Sequence, residues 1–355
     1  DVGGLKKRLL FLFAYIGILM SVALSFVSEG DWESAVFVYV LGNIGFMGSN
    51  IFYDSLLPTV AKEKEIDFVS GLGFALGYLG GGILFALNVW MMQDPSFFGF
   101  SSNIEAIKIS FLSVALWWML FSLPLLLFVK EKKPVDDKST VQIISEGYFR
   151  LIRTIKKIRY FKQLVLFLIA YWLYIDGVDT IIRMAVDYGM AIGFDTKSLI
   201  YSLLIVQFVA FPATLVFAKL AQKWDTKKAI LLAIFIYLFI TLWAAFIDEI
   251  YEFYILAVMI ALVQGGIQAL SRSYYAKMIP GEYAAEFFGF YNFLGKTAAI
   301  LGPFLIAIVA LITENSRVGI ASVAIFFILG GILLLRVDEK KAADEVRSNL
   351  HVEDV

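Results

Sequence analysis

The chain has 355 residues, 60% of them hydrophobic and only 17% charged, and its mean hydropathy is +0.80. A soluble domain carries about 45–50% apolar and about 25% charged residues, and a water-surrounded chain of this length still needs a polar surface, so an ordinary cytosolic enzyme and a disordered protein are excluded. The absence of cysteine and the single histidine, His351, leave no disulfide, no thiol nucleophile and almost nothing from which to build a metal centre or an embedded catalytic site. A net charge of −1 carries no footprint for nucleic acid.

Runs of about 20 apolar residues are long enough to cross a hydrocarbon core as helices. Ten occur in order: 9–28, 34–58, 68–92, 107–129, 162–190, 198–221, 228–247, 252–278, 285–312 and 316–336. Most connections are a few residues long, which makes successive helices antiparallel neighbours, and no strand-period alternation supports a β-barrel. The expectation is an all-α, multi-pass membrane protein. Of the 30 Lys and Arg residues, 25 fall in alternate connections and at the two ends, against Lys108, Lys197 and Arg317 in the opposite loops. By the positive-inside rule both visible ends lie in the cytosol.

One long break, 130–161, opens with Lys130, Glu131, Lys132, Lys133 and Pro134. Ser139 and Gln142 then have capping-box spacing, and Ile144, Tyr148, Leu151, Ile152, Ile155 and Ile158 recur at helical spacing among basic residues. This predicts an amphipathic helix on the membrane surface or a solvated linker helix. The domain expectation is therefore an N-terminal bundle over 1–129, the linker over 130–161, a six-helix bundle over 162–336 and a cytosolic tail over 337–355.

The first, fourth, seventh and tenth runs carry no charge away from their ends, whereas the others hold Asn43, Asp54, Asn88, Asp176, Asp179, Arg183, Gln207, Gln264, Gln268, Arg272, Asn292 and Lys296. Polar side chains inside a span face protein or water rather than lipid. Every third helix is thus expected at the periphery, with the rest around a polar interior, as in a transporter built from three-helix repeats. Gly73, Gly77 and Gly81, four residues apart, predict a small-residue packing ridge.

The N-terminal segment Asp1-Val2-Gly3-Gly4-Leu5-Lys6-Lys7-Arg8 resembles the basic loop between the second and third helices of the major facilitator superfamily, and Asp225, Lys227 and Lys228 form a weaker counterpart. Val2, Leu5 and Gln222 depart from that pattern. The resemblance implies that the visible spans are the third to twelfth of twelve, with two helices before Asp1. Three stretches resemble more narrowly the vacuole-effluxer, autophagy-related family of that superfamily, in a bacterial-type member: Gly42 to Phe46 leading to Phe52–Pro58, Gly71–Gly82, and Val263–Ser273 continuing through Glu286–Asn292 to Lys296. The resemblance implies a secondary transporter, amino acids being solutes associated with some fungal members. It also implies gating roles for Asp1, Gly4, Lys6 and Lys7.

Chemistry inside the spans is where function is expected. Asp176 lies about 21 Å, Gln264 about 18 Å and Lys296 about 16 Å along their runs, with Asn43 and Gln207 about 14 Å along theirs. Secondary transporters bind solute at such depths. Spacings of three and four put Asp176, Asp179 and Arg183 on one helical face. Asp179 and Arg183 read as an ion pair, leaving Asp176 as the acid for a proton or an ammonium group. Lys296 pairs either with one of these aspartates or with a solute carboxylate. Gln264 and Gln268 share a face, and Asp54 and Arg272 sit near span ends as gate residues. Gly295-Lys296-Thr297 mimics the end of a phosphate-binding loop but misses its spacing and lies within a span. The expected function is a cofactor-free, monomeric secondary transporter of a small polar solute, with proton coupling, in a prokaryotic inner membrane. A non-transporting membrane scaffold or sensor is the alternative.

Overall fold

The computed structural model describes residues 5–130 and 160–351. Asp1, Gly4 and the linker helix expected after Lys130 lie outside the described residues. Ten helices are long and apolar enough to span a membrane: α1 Lys6–Leu24, α2 Trp32–Ser55, α3 Ile66–Gln93, α4 Asn103–Phe128, α5 Lys162–Ala191, α6 Thr196–Lys223, α7 Thr226–Ala244, α8 Ile250–Met278, α9 Ala284–Thr313 and α10 Ser316–Leu335. No strand occurs among the described residues. Each of the ten expected runs corresponds to one span. The first helix stops at Leu24 rather than near residue 28, because the chain leaves the helix through Ser25 and Phe26.

Short polar connections begin the helices by supplying acceptors for N–H groups that have no partner within the helix. Asp31 accepts from Ser34 at α2, Ser102 from Glu105 at α4, Asp195 from Ser198 at α6, and Asp225 from Lys228 at α7. Glu249 and Glu252 form a reciprocal capping box at α8. Asp195 is also an exposed group whose carboxyl lies below its ordinary value, held there by the Ser198 side chain and backbone.

The described chain forms two compact units. Unit one holds the residues up to Val60, those from Gly80 to Lys130, and Glu282–Gly289; unit two holds Ala61–Leu79, Tyr160–Gly281 and the residues from Phe290 onward. α3 thus contributes its first part to unit two and its second to unit one. In unit one, α1 lies along α2 and against α4. In unit two, α5 and α8 are the innermost spans, each burying 61% of its apolar stretch against 44% for α7 and α10. α7 and α10, charged only in their first turns, pack on α5, α7 also lies along α8, and both show outward apolar side chains, among them Phe235, Phe239 and Leu335.

The expected ridge in α3 is corrected: a Cβ at Gly77 or Gly81 would meet nothing within 4 Å, so close packing does not require glycine at either. Close approach occurs instead at Gly71, where a Cβ would come within 2.5 Å of Ala218. The tail contains a further helix, α11 Glu339–His351, which the hydropathy did not announce. Ala342 and Val346, one turn apart, are fully buried. Glu345 accepts the N–H of Gln163 in the first turn of α5 at 2.9 Å, and Gln163 accepts the N–H of Asp338 at 2.9 Å.

The two basic loops make equivalent contacts. Lys7, second residue of α1, donates to the carbonyls of Leu126 and Val129 at the C-terminus of α4. Lys227, second residue of α7, donates to Leu335 and Val337 at the C-terminus of α10. A cation there satisfies terminal carbonyls and opposes the negative end of the helix dipole. Lys7→Met and Lys227→Met should each cost about 1 kcal/mol in chemical unfolding of the purified protein, and the losses should add, because the two caps share no partner.

Candidate functional site

The site is built on the inner face of α5. Tyr174 through Val178, Thr180 and Ile181 are all buried there, and Asp176 is only 1% exposed. Its Oδ1 accepts the N–H of Gly302 in α9 at 3.0 Å and the hydroxyl of Thr180 at 3.2 Å. Its Oδ2 is buried without a hydrogen-bond partner.

Three residues on, Asp179 is half-buried. Two cations act on it: Lys296 of α9 most strongly, then Arg183 one turn along α5. Both expected cations thus act on Asp179, the exposed Arg183 of its own helix and the half-buried Lys296 of α9. Asp176, Asp179 and Lys296 lie in unit two, on α5 and on the part of α9 from Phe290 onward.

The glutamines of α8 also come together. Tyr78 of α3 donates to Gln268 Oε1 at 2.8 Å, and its hydroxyl is hydrogen-bonded by Gln264 as well. Gln264 is buried, and its Oε1 has no partner. A Cβ at Gly265 would collide with the Thr214 hydroxyl of α6 and approach the Tyr78 ring to 2.8 Å, so glycine is what lets these helices close around the glutamines. Tyr237 of α7 stacks on Phe327 at 5.4 Å, lies in the field of Tyr78 and Asp179, and keeps an unpartnered buried hydroxyl.

Other expected residues lie elsewhere. Asn43, in unit one, donates to the Tyr39 carbonyl of its own helix at 3.0 Å. Gln207 and Asn292 are half-buried on α6 and α9. Asp54 and Lys6 are buried in unit one. Arg272 is buried in unit two, with Nε on the Ser70 hydroxyl at 2.9 Å, Nη2 on the Ser70 carbonyl at 3.0 Å and its guanidinium 4.7 Å from the centre of the Phe74 ring.

A second polar cluster was not foreseen. Asp67, at the start of α3, accepts from Ser273 at 2.6 Å, Thr226 at 2.9 Å and Lys277 at 2.7 Å; Lys277 also donates to Thr226 at 2.7 Å. The side chains of Asp67 and Lys277 are 8% and 13% exposed. Nearby Glu339 has its carboxyl pushed above its ordinary 4.5 by burial; Lys277 opposes that shift, and Asp225, Asp67 and Glu63 add to it. Tyr78, Thr180, Tyr237 and Gly302 were likewise missed, because a tyrosine, threonine or glycine in an apolar run carries no charge signal.

An arrangement of ten spans with a charged cluster inside them is that of a polytopic transporter of the major facilitator fold. The fold of the proton:xylose symporter XylE matches with a TM-score of 0.69 at 14% identity, over 97% of this chain and 83% of that one. The chain belongs to the vacuole effluxer Atg22-like family, which it matches over residues 1–347. It is 38% identical to the uncharacterised MFS-type transporter YxiO of Bacillus subtilis strain 168, over 97% of this chain and 80% of that protein. It is 25% identical to autophagy-related protein 22 of Saccharomyces cerevisiae strain S288c, over 99% of this chain and 74% of that protein.

Two outcomes follow from the Asp67 cluster. Lys277→Met leaves a buried carboxylate without its cation and should cost about 3–5 kcal/mol, most of it recovered in Lys277→Met with Asp67→Asn; thermal unfolding of the detergent-solubilised protein reads both. For Glu339, a raised folded value means that the folded state holds the proton more tightly than the unfolded chain does. Glu339→Gln should therefore stabilise the protein fully at pH above the folded value, and the gain should vanish as pH falls below 4.5, where both states are protonated.

Proposed function

We propose that the chain is a secondary transporter that moves a small polar solute by alternating access. Asp179 and Lys296, with Arg183, are its charged solute contacts, Gln264, Gln268 and Tyr78 its neutral ones, and Asp176 its titrating acid. Gln207 and Asn292 join the solute contacts; Asn43, given its hydrogen bond within α2, is a secondary candidate. The observation that carries this reading is the Asp179–Lys296–Arg183 group deep within membrane spans, accompanied by acceptor oxygens on Asp176 and Gln264 that have no partner. Charges in a span are expensive and are kept where they serve a pathway. A site holding both signs suits a zwitterionic solute, so amino acids are the first to screen.

In this reading 1–129 and 162–336 are the two moving bundles, 130–161 joins them, and 337–355 is the tail. Lys6, Lys7, Asp54 and Arg272 act near span ends as gate residues. Both described ends face the cytosol of a prokaryotic cell, in line with the distribution of basic residues and with the bacterial relative. The bare Asp176 Oδ2 is the place for the coupled proton. A proton that drives transport must bind unequally in the two states of the cycle.

Thermal-shift screening identifies a solute, because a ligand that binds only the folded state raises apparent stability. In reconstituted vesicles, Asp176→Asn should abolish concentrative, pH-dependent uptake of that solute while the protein stays folded. Lys296→Ala should raise the half-saturating concentration of an anionic or zwitterionic solute about tenfold or more. Unchanged rate and pH dependence in Asp176→Asn would transfer the proton role to Asp179.

A further inference from the structure

Pro303 lies inside α9. It has no N–H to give to the carbonyl four residues back, at Ala299, and its ring crowds that carbonyl. The neighbouring N–H, of Gly302, donates to Asp176 Oδ1 of α5. A proline within a span loosens the helix around it, and here a carboxylate from another helix takes hold of the N–H one residue before that proline. The fit is specific: a Cβ at residue 302 would collide with the Thr180 hydroxyl and come within 2.9 Å of Asp176 Oδ1. α5 therefore holds α9 in two ways, through Asp176 on the Gly302 backbone and through Asp179 on the charge of Lys296.

We infer that Asp176 is a positioning residue: through the Gly302 N–H it fixes the course of α9 beside Pro303, and with it the place of Lys296 relative to Asp179. The geometry stands by itself; its consequence for solute binding rests on the reading of Asp179 and Lys296 as solute contacts. The clamp requires an acceptor oxygen and not a charge. Asp176→Asn retains such an oxygen, Asp176→Ala and the bulkier Asp176→Leu do not, and Pro303→Ala returns an N–H to α9 and removes the ring.

The test uses the absence of cysteine, which lets spin labels attach only where cysteines are introduced. Tyr251 in the first turn of α8 and Leu311 near the end of α9 are 60% and 80% exposed. Leu311 lies nine residues beyond Gly302, a lever of about 13 Å, so a change in bend of about 20° moves it about 5 Å. Pulsed EPR on the labelled protein in lipid nanodiscs, without solute, should give Asp176→Asn the distance distribution of the parent. Asp176→Ala and Asp176→Leu should shift or broaden it by about 5 Å. Adding Pro303→Ala to Asp176→Ala should narrow it again. A parental distribution in both Asp176→Ala and Asp176→Leu overturns the inference, as does an Asp176→Asn distribution displaced as far as theirs. These distances are read without transport, so a negative uptake assay leaves them standing, and unmoved distances leave the transport reading standing.

Discussion

A backbone polar group inside a bilayer has no water to turn to, and most of this structure follows from that constraint. At the helix ends it is met by acidic and serine caps at N-termini and by Lys7 and Lys227 at the C-termini of α4 and α10. Within the spans it governs the hydroxyls. Ser21, Ser110, Ser122, Ser202, Thr214, Thr241 and Ser271 each donate to a carbonyl four residues back in their own helix, so their donors are already committed. Thr180 is an exception, giving its hydroxyl to Asp176. At α5 and α9, as at Arg272 of α8 on the Ser70 carbonyl of α3, a side chain of one helix reaches the backbone of another.

The same constraint sorts the charges. Asp67 and Lys277 sit among hydroxyls that supply further hydrogen bonds, so a buried pair there has every incentive to stay closed. Asp179 is different: it is half-buried, and its cations come from a half-buried Lys296 and an exposed Arg183. Both are ionic arrangements within unit two. The first has the character of a structural tie, the second of a group that can exchange one partner for another.

The ten spans were legible because a hydrophobic run of span length is a signal averaged over many residues, robust to the local errors that shift boundaries such as the end of α1. α11 was not, because a short helix held by Ala342, Val346 and the reach of Glu345 to Gln163 leaves too few apolar positions to stand out. For the site, charge inside an apolar run pointed to Asp176, Asp179 and Lys296, and a polar amide there pointed to the two glutamines. Sequence spacing placed Arg183 beside Asp179 but left the partner of Lys296 open, since helical periodicity sees only neighbours on one helix. Lys296 and Tyr78 come from other helices, more than 100 positions away in sequence, and no periodicity links them. The glycines show the same limit: Gly77 and Gly81 caught attention by their rhythm, while Gly302, unrhythmic, is the one pressed against a carboxylate.

The two oxygens of Asp176 connect these strands. Oδ1 holds the Gly302 N–H, and Oδ2 is bare. A proton arriving at Oδ2 would not break the Gly302 hydrogen bond, because Oδ1 remains a carbonyl-type acceptor. It would weaken the bond, since acceptors that carry charge form hydrogen bonds roughly twice as strong as neutral ones. In the proposed scheme the proton thus loosens the hold of α5 on α9 without releasing it, and the course of α9 beside Pro303 becomes the coordinate on which protonation acts. By linkage the reverse also holds: a state of the protein in which α9 leans away from Asp176 binds the proton more tightly than one in which Gly302 is held close. A coupled transporter requires such a difference of its acid, and in the proposed scheme it would arise from one carboxylate and the N–H of one glycine beside a proline.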